Sequence, residues 1–242
     1  MVYKWLNSDQ FCELCDERCE PGLSICGPCE TELPWLVEQC VVCALPLPGN
    51  GLICGECLKR PPAFDHVVAP WRFAFPIDSL ISAFKHQARW PWGRLLGEQL
   101  ARHIRHRLDD DLPRPDALLP VPLARKRLRQ RGFNQAQMLA DWLSPVLQVP
   151  VHGDVLLRVQ DTPSQQGLDA ASRRRNLRQA FTLAGNAQLA GRHVALVDDV
   201  LTTGATAQAL ARLVKSAGAA RVDVYCLART PKPGDAANGA PG

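Results

Sequence analysis

The stretch from Val194 to Thr206 places carboxylates, hydroxyls and a glycine at a spacing suited to a phosphorylated sugar. The apolar residues Val194 to Val197 predict a short buried strand, and Asp198 and Asp199 follow at its carboxyl end. A turn then leads into a helix-favouring segment, and its residues are Thr202, Thr203, Gly204, Ala205 and Thr206. Carboxylates accept hydrogen bonds from vicinal hydroxyls, whereas threonine hydroxyls and the free N–H groups of a helix N-terminus bind phosphate. The stretch therefore predicts one site for a sugar diol and its phosphate.

These thirteen residues resemble the 5-phosphoribosyl-1-pyrophosphate (PRPP) signature of type I phosphoribosyltransferases. The resemblance implies that Asp198 and Asp199 contact the ribose hydroxyls. It also implies that Thr202 to Thr206 surround the 5′-phosphate, with Gly204 allowing the backbone to approach closely. A strand, an acidic turn and a capped helix without any ligand form the alternative interpretation.

A second cluster of charge follows a strand predicted over Asp116–Pro122. Five cations within seven residues are expected to form a basic loop after a central strand, and they are Arg125, Lys126, Arg127, Arg129 and Arg131. Guanidinium groups pair well with phosphates, so this loop is expected to neutralise a multiply charged anion such as pyrophosphate. A basic run facing nucleic acid or solvent is the alternative, and the two uses are compatible.

The same region carries a resemblance to a narrower family. The pattern Pro-Val-Pro-Leu at 120–123 and Arg-Gly-Phe-Asn-Gln at 131–135 is similar to the competence protein F (ComF) family of phosphoribosyltransferase-like proteins. The spacing of polar residues from Arg158 to Phe181 resembles that family as well. It implies a flexible loop that closes over PRPP and contains Gln165, Arg173, Arg174 and Arg175. A solvated basic loop is the alternative.

Nine of the ten cysteines lie in residues 1–60, and eight of them form C-x-x-C pairs. The pairs, with ten residues between each pair and the next, are Cys12/Cys15, Cys26/Cys29, Cys40/Cys43 and Cys54/Cys57. A C-x-x-C turn supplies two corners of a Zn²⁺ tetrahedron, so two pairs complete one structural site. Pairing neighbours in sequence predicts two Zn²⁺ ions in a double zinc ribbon, although a crossed pairing is also compatible with the spacing. With few apolar residues here, the metal would supply folding energy.

Charge differs between the two parts of the chain. Residues 1–60 carry 4 Lys/Arg and 9 Asp/Glu, a net charge of −5, whereas residues 61–242 carry 24 and 15, a net charge of +9. The basic larger part suits phosphate-rich ligands or nucleic acid. The first residues lack the apolar core of a signal peptide, and no apolar run is long enough to span a membrane. With paired cysteines, this pattern predicts reduced, metal-bound thiols and a cytoplasmic protein without membrane insertion.

Together these patterns predict a double zinc ribbon over residues 1–60, a phosphoribosyltransferase-like domain over 61–230 and a disordered tail over 231–242. The expected α/β fold is that of type I phosphoribosyltransferases, a parallel sheet flanked by helices with a small hood. The resemblance implies PRPP binding with Mg²⁺ and displacement of pyrophosphate from ribose C1 by an unknown acceptor, with a link to DNA uptake. The second hypothesis is a PRPP-sensing protein without enzymatic activity that handles single-stranded DNA together with cytoplasmic competence proteins.

Overall fold

A computed structural model of the chain describes residues 10–159 and 179–232. Its strands are β1 (His66–Val68), β2 (Trp71–Arg72), β3 (Ala117–Pro120), β4 (Leu156–Arg158), β5 (Phe181–Leu183), β6 (His193–Leu201) and β7 (Arg221–Arg229). Its helices are α1 (Gly27–Thr31), α2 (Gly55–Lys59), α3 (Ile77–Gln87), α4 (Trp90–Asp110), α5 (Arg125–Arg131), α6 (Gln135–Leu147) and α7 (Ala205–Ser216).

The main sheet is parallel and has the strand order β1-β7-β6-β3. Strand β2 continues along the same edge of β7 as β1, after an interruption that contains Pro70. The two nine-residue strands β6 and β7 form the centre and are buried along most of their length. Such continuous burial is typical of parallel strands that are covered on both faces. Strands β4 and β5 form a separate antiparallel pair.

Helices cover both faces of this sheet, as the α/β fold predicted from sequence requires. Successive side chains of a strand point to opposite faces. Thus Leu196 packs in one buried cluster with Leu210 of α7, whereas Val197 packs in another with Leu96 of α4 and Leu139 of α6. The sheet therefore has α7 on one face and the helices α3, α4 and α6 on the other.

The basic segment that follows β3 is where the sequence-based prediction of a loop is wrong. Residues 125–131 form helix α5, which ends at Gly132 in the left-handed conformation with φ of 84°. The segment holds only Arg, Lys, Leu and Gln, all of which favour helices, and the first residue able to stop it without strain is the glycine. The five cations therefore project from a helix, and only some of them can face one ligand. The following helix, α6, continues through Pro145 to Leu147.

The two cysteine-rich units contact different elements of the larger domain. In the first unit, Glu13 O accepts a hydrogen bond from Trp92 of α4, and Glu30 forms a 3.2 Å ion pair with Arg102 of the same helix. His103 of α4 packs against Trp35 with ring centroids 6.3 Å apart. Burial, with Arg107 and His106 nearby, lowers the pKa of His103 to about 4. The second unit packs in the cluster that contains α7.

Two predicted segments lie outside the described residues. They are the closing loop, with Gln165, Arg173, Arg174 and Arg175, and the last ten residues of the tail. Within the part of the chain that the structure describes, no helix has both the length and the apolarity needed to cross a bilayer.

Candidate ligand-binding cleft

A cleft of about 790 Å³ opens where strand β6 reaches its carboxyl end. In open α/β sheets, ligands bind outside the carboxyl ends of the strands. The cleft is lined by residues of α3, α5 and α6 together with one acid of β6: Lys85, His86, Gln87, Ala88, Leu123, Arg127, Gln130, Arg131, Phe133, Gln135 and Asp199. The lining thus combines cations, amides, an aromatic ring and a single carboxylate.

Asp199 lies at the base of this cleft, where Lys85 reaches it from α3. The Lys85 Nζ is 3.0 Å from Asp199 Oδ1, with side chains 20% and 8% exposed. The other oxygen, Asp199 Oδ2, is buried and has no hydrogen-bond partner among the described residues. A buried carboxylate oxygen without a partner is costly. This oxygen is therefore available to accept a hydrogen bond from a ligand hydroxyl.

Asp198 occupies a different environment, although it adjoins Asp199 in sequence. Neighbours in a strand face opposite sides of the sheet, and Asp198 is not part of the cleft lining. Its Oδ1 accepts the Asp199 N–H at 2.8 Å. Burial and the adjacent Asp199 carboxylate raise the pKa of Asp198 to about 7. The geometry thus separates the two acids that the sequence treats as a pair.

The turn after β6 presents backbone donors at the start of α7. Gly204 has φ of 74°, a conformation that favours glycine, and it caps the helix. Among described residues, the N–H groups of Gly204, Thr206 and Ala207 have no backbone acceptor, and Gln208 makes the first bond of the helix, to Gly204 O at 2.8 Å. Ala205 N–H donates to Thr203 Oγ1 at 3.4 Å. Thr202 and Thr203 are exposed. The turn therefore retains unsatisfied donors for an anion.

Two of the five cations of helix α5 line the cleft. Arg127 and Arg131 line it, whereas Arg125, Lys126 and Arg129 are exposed away from the lining. Arg131 is half-buried and donates a hydrogen bond to Gln135 Oε1. Burial lowers its pKa, and the nearby Asp199 carboxylate opposes that change. Together with Lys85, the two arginines give the cleft three cationic side chains around one carboxylate.

Asn134 fixes α5 relative to the sheet and starts the next helix. Its Oδ1 accepts the Ala136 N–H at 3.1 Å, which caps α6, and its Nδ2 donates to Val121 O at 3.1 Å. The residue before it, Phe133, packs on Phe84 with ring centroids 5.5 Å apart and meets Trp90 edge-on at 6.3 Å. The mouth of the cleft is therefore aromatic, and the Trp90 side chain is 55% exposed.

The eight paired cysteines form two compact sets. The sets are Cys12, Cys15, Cys26 and Cys29, and Cys40, Cys43, Cys54 and Cys57. Within each set the four Sγ atoms lie within 4.8 Å of one another, which suits four thiolates around one Zn²⁺. These are the sets predicted by pairing neighbours in sequence, and the crossed pairing is not the one formed. The second set is entirely buried, whereas Cys15 of the first is exposed.

Hydrogen bonds to sulfur favour the thiolate at one cysteine of each set. Burial alone would raise the pKa of Cys40, but backbone N–H groups of Cys54, Cys43 and Val42 outweigh it and lower the pKa to about 7. The Cys54 N–H lies 3.3 Å from Cys40 Sγ. In the same way, N–H groups around Cys12 overcome burial and lower its pKa to about 6. With four sulfur atoms each at this spacing, both sets have the donor atoms and the shape of structural zinc sites.

Lys85 is prominent in the cleft, and the sequence alone leaves its role open. Lys85 continues the apolar face of α3, and the sequence gives equal support to an ordinary surface lysine and to a ligand-facing one. Gln135 belongs to the 131–135 motif but had no assigned role, and His86 carried no signal beyond its helical position. Their contribution depends on how α3 and α6 approach β6, which no local pattern encodes.

Comparison with known proteins identifies the family to which the chain belongs. A family profile described as phosphoribosyl transferase domain matches residues 134–238. Competence protein F of Haemophilus influenzae is 34% identical over 221 residues, which cover 90% of each chain. The DNA utilization protein YhgH of Escherichia coli strain K12 is 37% identical over 85% of this chain and 90% of that one. Among solved structures, a purine phosphoribosyltransferase from Pyrococcus horikoshii is 20% identical over 55% of this chain and 73% of that one, with a TM-score of 0.37. The chain is therefore a member of the competence protein F family and carries a phosphoribosyl transferase domain.

Proposed function

We propose that this chain binds PRPP, together with Mg²⁺, in the cleft at the end of β6 and transfers the phosphoribosyl group to an acceptor still to be identified. The observation that carries the proposal is the buried Asp199 carboxylate, which has one oxygen on Lys85 and the other without a partner. The phosphoribosyl transferase profile and the family membership support it.

Each part of PRPP has a matching group. A ribose hydroxyl donates to Asp199 Oδ2, and the 5′-phosphate binds the free N–H groups and hydroxyls of the turn over 202–206. The pyrophosphate carries more charge than any single group in the cleft. Its negative charge is therefore neutralised by three cations together, Lys85, Arg127 and Arg131. Mg²⁺ bound with the substrate would add further neutralisation at the leaving group.

The reaction that this arrangement favours is substitution at ribose C1. The bond from C1 to the pyrophosphate oxygen breaks, and its electron pair leaves with that oxygen. The acceptor supplies the electron pair of the new bond to C1. The chain positions the charges and requires no nucleophile of its own. Lys85 and Arg131 stabilise the negative charge that grows on the leaving oxygen.

Isothermal titration with PRPP and Mg²⁺, and separately with ribose 5-phosphate, tests the binding step. PRPP is expected to bind more tightly, because only PRPP reaches the three cations. Asp199→Asn removes the carboxylate. Asp141→Asn is its matched control, because Asp141 lies exposed on α6 and, of the residues that the structure describes, only Gln137 donates to it. Pyrophosphate release in the presence of candidate acceptors tests transfer. Equal binding by the two variants would contradict the role of Asp199.

A second candidate is non-enzymatic handling of single-stranded DNA, with PRPP as a signal. One surface favours it: the exposed Trp90 packs on Phe133 at the cleft mouth, close to the cations of α5. Exposed aromatic rings beside cations suit the stacking of successive bases along a phosphate backbone. The names of the relatives, competence protein F and DNA utilization protein, are consistent with a DNA partner.

Fluorescence anisotropy with a labelled oligonucleotide separates the two functions. Replacing the three α5 cations outside the cleft lining, Arg125, Lys126 and Arg129, with Gln is expected to weaken DNA binding and reduce its salt dependence. Trp90→Ala is expected to weaken it by roughly tenfold. Asp199→Asn leaves DNA binding intact. Binding that does not depend on salt would exclude contact with the phosphate backbone.

A further inference from the structure

Arg229, at the end of β7, is a buried cation whose hydrogen-bond partners within residues 10–159 and 179–232 are all backbone carbonyl oxygens. Its Nε donates to Cys43 O at 3.0 Å, and its Nη1 donates to Leu201 O at 2.9 Å and to Thr230 O at 2.8 Å. The same Nη1 also donates to Thr202 O. Among the described residues it forms no ion pair with a carboxylate. A buried guanidinium is stable only if its donors are satisfied, so these carbonyls hold it in place.

The two ends of this hydrogen-bond network belong to different sites. Cys43 is one of the four cysteines of the second tetrad, 40/43/54/57. Leu201 and Thr202 begin the turn proposed to bind the 5′-phosphate. One guanidinium therefore donates hydrogen bonds both to a residue of a zinc-type site and to the start of the turn proposed to bind phosphate.

Other contacts connect the second cysteine unit and the segment after it to the same turn and helix. Ala63 N–H donates to Gln208 Oε1 of α7 at 2.8 Å. A Cβ atom placed on Gly204 would lie 4.0 Å from Phe64, so this ring lies beside the turn. The first cysteine unit instead makes its polar contacts to α4, through Trp92, Glu98 and Arg102. The arrangement thus distinguishes the second tetrad from the first.

We propose that Arg229 is a positioning residue that couples metal binding in the second tetrad to phosphate binding on the 202–206 turn. The inference rests on the proposed function, because the ligand that occupies the turn is the 5′-phosphate of PRPP. A metal bound at Cys43 Sγ holds the Cys43 backbone in place, and the Cys43 carbonyl accepts a hydrogen bond from Arg229. When the metal is lost, this backbone can move, and Arg229 then no longer orients the Leu201 and Thr202 carbonyls. Coupling between two sites is reciprocal, so bound PRPP must also retain the metal in the second tetrad.

Zinc release from the full-length, zinc-loaded protein to a zinc-selective colorimetric chelator tests this coupling. Two release phases are expected, one for each tetrad. Saturating PRPP and Mg²⁺ should slow one phase about fivefold or more and leave the other unchanged. Arg229→Gln should abolish the slowing and weaken PRPP binding about tenfold. Arg102→Gln is the matched control, because it removes an arginine that contacts the first unit, and it should keep the slowing.

The outcomes separate this inference from the proposed function. If titration shows that PRPP binds and neither zinc phase slows, or if Arg229→Gln keeps the slowing, the coupling is wrong. If PRPP does not bind the wild-type chain, the proposed function fails. Amide hydrogen exchange over residues 202–207 then decides the coupling without PRPP. Exchange should become faster in Arg229→Gln and in Cys57→Ser, and unchanged exchange overturns the inference. Arg229→Lys replaces the Gln variant if that variant does not fold.

Discussion

Replacing Lys85 with methionine should destabilise the protein much more than breaking an ordinary surface ion pair. Lys85→Met keeps the length of the side chain but removes the partner that Asp199 Oδ1 has in the described part of the chain. The Asp199 carboxylate, 8% exposed in its side chain and already lacking a partner for Oδ2, then has no hydrogen-bond or ion-pair partner for either oxygen among the described residues. The Arg94–Glu98 pair on α4 is the contrast, with N and O atoms 2.8 Å apart but side chains 69% and 38% exposed.

The expected magnitude follows from these exposures. Exposed pairs contribute about 0–1 kcal/mol, and breaking a fully buried pair costs about 3–5 kcal/mol. The Lys85–Asp199 pair lies at the open base of a cleft, so we expect Lys85→Met to cost about 2 kcal/mol. With a slope of about 2–3 kcal/mol per M, the midpoint of urea unfolding falls by roughly 1 M. Arg94→Gln should shift it by less than about 0.2 M.

A double-mutant cycle identifies the cause of that change. In the Asp199→Asn background no buried charge is left unpaired by Lys85→Met, so the second substitution should cost far less than it does in the wild type. Urea unfolding followed by circular dichroism at constant pH and zinc supplies the four free energies. An equal cost in both backgrounds, or a cost for Lys85→Met no larger than for Arg94→Gln, would refute the reasoning.

Three further outcomes follow from the described contacts. Metal analysis of the purified protein should give about two zinc ions per chain, and Cys43→Ser should leave one; a single ion in the wild type rules out two full sites. Burial raises the pKa of Asp198 to about 7, above the value of about 3.9 in the unfolded chain. The folded state therefore binds this proton more tightly, so the free energy of unfolding falls as the pH rises from about 4 to 7. Asp198→Asn should flatten this decline, as measured by urea unfolding at pH 5 and pH 8, and an unchanged slope contradicts it. In α4, Gly93→Ala should lower the free energy of unfolding by about 1–3 kcal/mol, because a Cβ there would lie 2.5 Å from the Phe84 ring. Gly185→Ala is the control: open space surrounds Gly185, so the same assay should show almost no change.

Much of the fold was predictable because the relevant signals are local. The apolar run of β6 depends on a few neighbouring residues, and the structure contains the predicted strand and extends it to His193–Leu201. The cysteine sets were also predictable, since the regular ten-residue spacing favours pairing of neighbours. The prediction of a loop at 125–131 is wrong because arginine, lysine, leucine and glutamine all favour helices, and no residue before Gly132 ends one.

The arrangement of the cleft was less accessible from sequence. Lys85 reaches Asp199 across more than one hundred residues, and the contact depends on the packing of α3 beside β6. The unequal surroundings of Asp198 and Asp199 follow from strand alternation, which applies as soon as β6 is extended through both residues. Arg229 gave no signal at all, because its partners are backbone carbonyls from three separate segments.

Titration of PRPP into the zinc-loaded wild-type chain in the presence of Mg²⁺ tests the central claim most directly. We predict saturable binding of one PRPP per chain that Asp199→Asn weakens at least about tenfold and that Asp141→Asn leaves unchanged. Absence of binding to the wild type, or equal affinity in all three proteins, would contradict the assignment of this cleft to a phosphoribosyl ligand.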